Sequence, residues 1–244
     1  ALSPAAGSGA RQGAGAWGYA RGAERLGGEI FQNTEVTGID VQGGQVVGVS
    51  TSKGYIATNN VLSAVAGFTP RVCEMVGVET PIVIHPLQAC VTEPMKPWLD
   101  TILVSGSLHV YVSQSSRGEL VMGSSLDPYE VHSTRSTLDF VEGLTSHMLD
   151  MFPFLSNIKV VRQWAGMADM TPDFAPVMGK TPVKGFYLDA GWGTWGFKAT
   201  PISGKTMAET IARDQAPELI HSFRLSRFED YELTGEKGAA SVGH

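Results

Sequence analysis

The segment Gly185–Glu209 combines residue types that could bind a ligand where a strand ends. Its apolar start, GFYLDA, predicts a strand, and the next residues place Gly191, Gly193 and Gly196 in a short loop before Pro201 opens a helix. Glycines let a backbone approach a planar or phosphorylated ligand closely, and the N-terminus of a helix attracts negative charge. The pattern therefore predicts a ligand-binding loop, although a tight strand-to-helix connection without a ligand would have the same spacing.

Other chemistries find little support in the sequence. The GKT at Gly204–Thr206 lacks the upstream glycine spacing of a Walker loop, and the glycine loop does not open a βαβ unit as G-x-G-x-x-G does. The six histidines include no H-E-x-x-H spacing, and no G-x-S-x-G elbow occurs. Cys73 and Cys90 are too few for a disulfide framework or a cysteine-based metal site. These patterns argue against a metalloenzyme or a hydrolase, and we predict no metal.

The composition describes an ordinary globular protein. Hydrophobic residues make up 43% of the 244 residues and charged residues 17%, which excludes a largely disordered chain. A net charge of −6 without a lysine or arginine run argues against nucleic acid as a partner. The sequence has no apolar run long enough to span a bilayer and no recognisable signal peptide, so we expect no membrane association and a cytoplasmic location.

The elements that must hold the loop form a mixed α/β pattern. Helices are predicted over Gly13–Leu26, Pro70–Val76, Thr134–Phe152 with Ser133 as its N-cap, and Pro201–Arg213. Strands are predicted over Glu29–Gln32, Glu35–Val41, Val46–Thr51, Tyr55–Ala66, several pieces of Ile82–Gly123, Lys159–Met167 and Phe186–Ala190.

The stretch GWGTWGFKATPISGKTMAETIA resembles the C-terminal flavin-binding segment of the D-amino-acid-oxidase-like flavoproteins, and within them that of the sarcosine oxidase beta subunits. TPDFAPVMGKTPVKGFYLDAG, HPLQACVTEPMKPWLDT, LHVYVSQSSRGELVMGS and EVTGIDVQGGQVVGV resemble further parts of the same proteins, and so does the ending KGAASVGH. The resemblance covers nearly the whole chain, but this sequence does not contain the G-x-G-x-x-G unit that the family has near its N-terminus. We therefore expect a C-terminal fragment of a longer protein.

The resemblance implies a mixed α+β and α/β fold with two parts. Residues 1–81 and 171–244 would form an incomplete, Rossmann-like FAD-binding domain without its N-terminal dinucleotide-binding unit. Residues 82–170 would form a substrate domain with a mostly antiparallel sheet, flanked by the helix at Thr134–Phe152.

The resemblance also implies an FAD site. Its predicted residues are Val36, Gly67, Gly193, Thr194, Gly196, Phe197 and Lys198. Lys198 would contact both the flavin and the substrate carboxylate, since a lysine suits a carboxylate as a compact point charge. A solvated surface lysine, a core valine at Val36 and an ordinary strand-end glycine at Gly67 are the structural alternatives.

The family's beta subunits also carry an FMN attached through a histidine, and Gln12 stands where we expect that histidine. A carboxamide lacks the nucleophilic nitrogen of an imidazole, which excludes a histidyl bond at this position. Noncovalent FMN would have Arg11 and Arg162 as phosphate partners and His109 as a ring contact. These three residues could equally be ordinary surface or strand residues, and the FMN site could be lost.

The activity implied by the resemblance is oxidation of the N-methyl group of sarcosine, or of a similar secondary amino acid, by FAD. The imine would yield glycine and a one-carbon unit, and alpha, gamma and delta subunits would complete a heterotetramer. A proline, glycine or D-amino-acid dehydrogenase or oxidase is the nearest alternative enzyme. A flavin-binding or assembly subunit without turnover is the alternative from another functional class.

Overall fold

The computed structural model describes residues 12–124 and 126–234. The chain divides into a central unit, Ile84–Ala168, and a split unit that contains the described residues of Arg11–Val83 and Asp169–Glu236. Each unit mixes helices with sheets, as the predicted fold class requires. The assignment of the central unit to substrate binding and of the split unit to FAD binding stays a prediction.

The helices and strands have the following bounds. The α-helices are α1 (Gln12–Arg25), α2 (Thr69–Glu74), α3 (Leu138–Met151) and α4 (Gly196–Arg213). The strands are β1 (Val36–Gln42), β2 (Gln45–Thr51), β3 (Gly54–Ala57), β4 (Val61–Ser63), β5 (Val83–Pro94), β6 (Leu103–Ser105), β7 (Val110–Gln114), β8 (Glu119–Ser124), β9 (Val160–Met170), β10 (Val177–Lys180) and β11 (Phe186–Ala190). Short 3₁₀ helices lie at Ala66–Phe68, Pro153–Asn157, Glu218–Phe223 and Leu225–Phe228.

The central unit is built on a five-stranded sheet in the order β6-β7-β8-β5-β9. The pairs β6–β7, β7–β8 and β8–β5 are antiparallel. Alternating side chains of this sheet are buried beneath α3, which contributes Phe140, Leu144 and Met148 to the same core. The alternating apolar side chains of the strands and the apolar face of α3 therefore pack together in one hydrophobic core.

Helix α3 begins four residues later than the sequence predicts. Its N-cap is Thr137, whose hydroxyl accepts the Phe140 N–H at 3.2 Å, so Ser133 as the N-cap is wrong. Thr137 is also held from the sheet, because its N–H donates to Gln88 Oε1 at 2.8 Å. The N-cap is therefore chosen by a tertiary contact that the local sequence does not contain.

The split unit contains two three-stranded sheets. One is the antiparallel meander β1-β2-β3, and the other has the order β10-β11-β4. In the second sheet β10 pairs antiparallel with β11, whereas β11 and β4 are parallel. Helix α4 packs here through Met207, which shares a buried cluster with Met178, Tyr187 and Ile220.

Two strand predictions are corrected in the split unit. Residues 29–32, all of them described, form no strand, and Ile30 and Phe31 are exposed. The predicted strand Tyr55–Ala66 is two strands, because a turn fixed by the Thr58 hydroxyl and Asn60 ends β3 and redirects the chain. As a result β3 pairs with β2, whereas β4 pairs with β11. Strand propensity alone cannot predict where the chain passes from one sheet to the other.

The predicted start of the last helix is also wrong. Helix α4 begins at Gly196, and Pro201 lies inside its second turn. Proline removes one intrahelical N–H bond, which at position 201 is the bond to the Phe197 carbonyl. The Thr200 hydroxyl donates to the Gly196 carbonyl at 3.1 Å in the same turn. The buried side chains Ser203, Thr206, Met207 and Thr210 hold the helix against its sheet, which offsets the local cost of the proline. Gly196, Phe197 and Lys198 therefore form the first turn of a helix rather than a loop.

Within the described ranges, no helix is long and apolar enough to cross a membrane. The same residues include no group of three or more His, Cys, Asp or Glu side chains placed to hold a metal ion.

Candidate functional site

The loop between β11 and α4 needs glycine at two positions. Gly191 has φ +70° and Gly193 has φ +53°, both in the left-handed region that side chains disfavour. A Cβ at Gly191 would lie 2.7 Å from Thr171 Cγ2, and one at Gly193 would lie 2.8 Å from Met170 Sδ. Backbone conformation and close packing therefore both demand glycine here.

The N-terminus of α4 leaves hydrogen-bond donors directed away from the helix. Its N-cap is Trp195, whose side chain makes no capping bond within the described chain. The first N–H groups of an α-helix have no intrahelical acceptor and carry partial positive charge. Phe197 and Lys198 in this first turn are both exposed. This helix end can accordingly bind an anionic or hydrogen-bond-accepting group.

Trp195 adds a buried donor that a ligand could satisfy. Its indole Nε1 is buried and has no hydrogen-bond partner among the described residues. A buried N–H without an acceptor is costly, so such groups are almost always paired in a functional state. This orphaned donor, the glycine loop and the free helix end fit a planar ligand rich in acceptors, such as a flavin.

Two aspartates that the sequence analysis did not identify, Asp169 and Asp189, bind residues of the loop. Asp169, at the end of β9, is 3% exposed and accepts the Gly191 N–H at 2.6 Å and the Gly193 N–H at 3.1 Å. Asp189 in β11 accepts the Trp192 indole N–H at 2.6 Å and the Ser203 hydroxyl. Asp189 is a carboxylate within an otherwise apolar strand, which is a sequence signal, whereas β9 also contains Arg162 and Gln163, so Asp169 has no such signal.

Burial raises the pKa of Asp169 above its ordinary value, although the N–H groups of Gly191 and Gly193 oppose this effect. The carboxylate therefore binds the loop at a cost in desolvation. The N–H groups of these two glycines donate to Asp169 and are therefore engaged within the protein. Donors for a ligand remain at the start of α4.

The structure brings two of the predicted FAD segments to one edge of a sheet. Gly67 is buried in the 3₁₀ helix that follows β4, and the Gly193 loop follows β11. Strands β4 and β11 are parallel neighbours, with Ser63 beside Leu188, so both turns leave the carboxyl edge of the same sheet. Ligands of open α/β sheets bind at this edge. Val36 begins β1 in the other sheet of the unit and is 38% exposed.

The predicted FMN contacts are not brought together. His109 is exposed in the turn before β7, with φ +51°, and Arg162 is exposed on β9. Strands β8 and β5 lie between β7 and β9, which separates the two strands by about 14 Å at the usual spacing. Arg11 lies outside the described residues, and the structure describes Gln12 only as the first residue of α1. An FMN site stays a prediction.

Comparison with known proteins supports the flavin interpretation of the glycine loop. The family model described as FAD dependent oxidoreductase matches residues 4–210. The sarcosine oxidase subunit beta of Rhodobacter capsulatus is 44% identical over 96% of this chain and 56% of its own length. The corresponding subunit of Rhizobium meliloti is 45% identical over 91% of this chain and 54% of its own length.

A solved structure with a similar backbone is the L-proline dehydrogenase from P. horikoshii. It superposes with a TM-score of 0.82 at 27% identity, over 90% of this chain and 60% of that protein. The chain spans about half the length of the curated relatives that it matches. Because the family model covers most of the sequence and the glycine loop lies within the match, the chain belongs to the FAD dependent oxidoreductase family.

Proposed function

We propose that this chain serves in the FAD-dependent oxidation of the N-methyl group of sarcosine, or of a similar secondary amino acid, as part of a sarcosine oxidase beta subunit. The observation that carries the proposal is the N-terminus of α4, which bears Lys198 in its first turn and follows Trp195, whose buried indole N–H has no acceptor in the described part of the chain. The identity of 44–45% to sarcosine oxidase beta subunits supports this choice among the activities of the family.

The proposed roles of the residues follow from charge and position. When bound, FAD would supply the oxidant, accepting one hydrogen with both electrons of the methyl C–H bond as hydride, and the neutral amine would become an iminium ion. The N–H groups at Gly196–Lys198 and the Lys198 ammonium stabilise negative charge at the ligand. Lys198 is also exposed and cationic, which suits it to hold the substrate carboxylate and so orient the N-methyl group. Gly67, Gly193, Thr194 and Phe197 complete the proposed FAD contacts, with Val36 at the adenine.

The finer features of the complex are part of the same proposal. The chain binds any FMN noncovalently, because Gln12 offers no nucleophilic nitrogen, and Arg11, Arg162 and His109 are its proposed contacts. Alpha, gamma and delta subunits complete the assembly in the cytoplasm. The subunit names of the relatives support a complex of several chains.

The test uses the full-length protein purified with its partner chains. We expect anaerobic sarcosine to bleach the visible flavin absorption, and acid precipitation to release all of the flavin into the supernatant. Flavin that stays in the pellet would contradict noncovalent binding at Gln12. A flavin spectrum indifferent to sarcosine would overturn the proposed substrate.

A second candidate function is the oxidation of proline. The TM-score of 0.82 to an L-proline dehydrogenase favours it, and proline is a secondary amino acid whose carboxylate Lys198 could bind in the same way. Anaerobic titration with proline, glycine and D-amino acids on the same sample separates these substrates, since the true substrate bleaches the flavin at the lowest concentration. A flavin that no amine reduces would favour the subunit without turnover.

A further inference from the structure

The two glycine N–H groups of the loop that precedes α4 are bound by one buried carboxylate, that of Asp169. The two oxygens of Asp169 accept different N–H groups, Oδ2 that of Gly191 at 2.6 Å and Oδ1 that of Gly193 at 3.1 Å. The Gly193 N–H is shared with the backbone carbonyl of Asp169, also at 3.1 Å. Both glycines are thereby attached to one residue at the end of β9.

Met170 and Thr171, which follow Asp169 in the chain, pack against the same two glycines. A side chain at Gly191 would meet Thr171, and one at Gly193 would meet Met170, so the loop lies directly against residues 169–171. Met170 and Thr171 are 5% and 2% exposed, which leaves this platform little freedom to move. The conformation of the loop is thus fixed from one side by packing and by the carboxylate.

We propose that Asp169 is a positioning residue for the flavin site, which fixes the Gly191–Gly193 turn and thereby sets where the first turn of α4, with Lys198, meets the cofactor. This inference rests on the proposed function for the place of the cofactor. Only two residues separate Gly193 from the start of α4, and the backbone N–H of Trp195 donates to the Trp192 carbonyl at 2.9 Å. A change in the turn therefore moves the helix end directly.

The cost of burying the Asp169 carboxylate agrees with a positioning role. Burial raises the pKa of Asp169, so its carboxylate is destabilised by desolvation in the folded protein. A neutral side chain of the same size would avoid this cost. The charge fits the contacts with the loop, because each of the two carboxylate oxygens accepts one glycine N–H, whereas an amide has a single accepting oxygen.

The test is the Asp169→Asn variant of the full-length protein in its complex. The amide keeps the size of the side chain but turns an NH₂ group towards one of the two glycine N–H groups. We expect the Kd for FAD to rise by at least about tenfold, as expected when a charge-assisted hydrogen bond is lost, and the visible spectrum of bound FAD to shift. These readouts do not depend on turnover.

Asp173→Asn is the matched control, because Asp173 is a buried carboxylate four residues away that bonds to Arg227 rather than to the loop. It should lower Tm and leave the FAD spectrum and Kd unchanged. Should Asp169→Asn fail to fold, Asp169→Ser gives the same comparison, since its hydroxyl can accept only part of this bonding. An unchanged Kd and spectrum in the variant that folds would overturn the positioning role. Wild-type protein that binds FAD but ignores every amine would overturn the proposed function and leave this test in force.

Discussion

At the scale of single residues, Lys198 is the side chain on which proposed substrate binding most depends. It lies in the first turn of α4, exposed and beside the helix end that should face the flavin. Lys198→Met keeps the apolar stem and removes the charge, so KM for sarcosine should rise by about 10- to 100-fold through the loss of one charged hydrogen bond. Steady-state kinetics of the complex measures this change.

Lys205→Met is the control for the loss of a positive charge from the same helix. Lys205 is exposed two turns further along α4 and should leave KM unchanged. Equal effects of the two substitutions would point to a general field of the helix rather than to contact between Lys198 and the carboxylate.

The sequence predicted the segment 191–198 that should face the ligand, but it did not predict the residues that hold this segment in place. Glycine and lysine types at 191–198 predicted a loop at a helix end, because few residues other than glycine adopt such backbone angles. Asp169 lies 22 residues before Gly191, and no local pattern indicates that its carboxylate reaches that backbone. The orphaned Trp195 N–H likewise depends on burial by residues distant in the sequence.

At the scale of elements, the start of α3 shows how a tertiary contact chooses among several capping residues. Thr137 caps the helix and is bonded to Gln88 of β5, whereas Ser133 lies in the preceding loop. Thr137→Ala should therefore lower the free energy of unfolding by about 1–2 kcal/mol, as the loss of an N-cap does.

Chemical denaturation of the two alanine variants, Thr137→Ala and Ser133→Ala, measures the difference. Ser133→Ala should change the free energy of unfolding by less than about 0.5 kcal/mol, because Ser133 makes only a local bond to the Arg135 N–H. A larger loss from Ser133 than from Thr137 would contradict the assignment of the cap.

The whole molecule depends on contacts between segments far apart in the sequence, and these are the least predictable. Hydrophobic patterning predicted most helices and strands, but not that β4 leaves the meander to pair with β11. The buried Arg227–Asp173 pair joins residues 54 positions apart, and no local pattern in the sequence indicates that they meet. Periodicity reports which side chains are buried, whereas pairing partners follow from the complete packing.

This ion pair gives the last prediction, which concerns the stability of the split unit. Arg227 is fully buried and donates to both oxygens of Asp173, at 2.8 and 2.9 Å, and to the Ala175 carbonyl. Removal of one partner leaves a buried charge unpaired, so Asp173→Asn should lower the free energy of unfolding by about 3–5 kcal/mol at pH 7. Asp230→Asn, at a more exposed pair with Arg224, should cost less than about 1 kcal/mol.

The pH dependence of the same variant separates the ion pair from simple packing. Burial alone would raise the pKa of Asp173, but hydrogen bonds from Arg227 and from the Thr234 N–H outweigh it, and the pKa in the folded state is lowered. The pair therefore stabilises the fold fully above the ordinary aspartate pKa of about 3.9, and its contribution is lost as the pH falls through the lower folded-state value. Urea titrations at successive pH values should show the wild-type advantage over Asp173→Asn shrinking in that acid range. A difference in unfolding free energy that stays constant down to the lowest pH would mean that Asp173 acts through packing. Its charge would then contribute nothing to holding the 3₁₀ helix Leu225–Phe228, which carries Arg227.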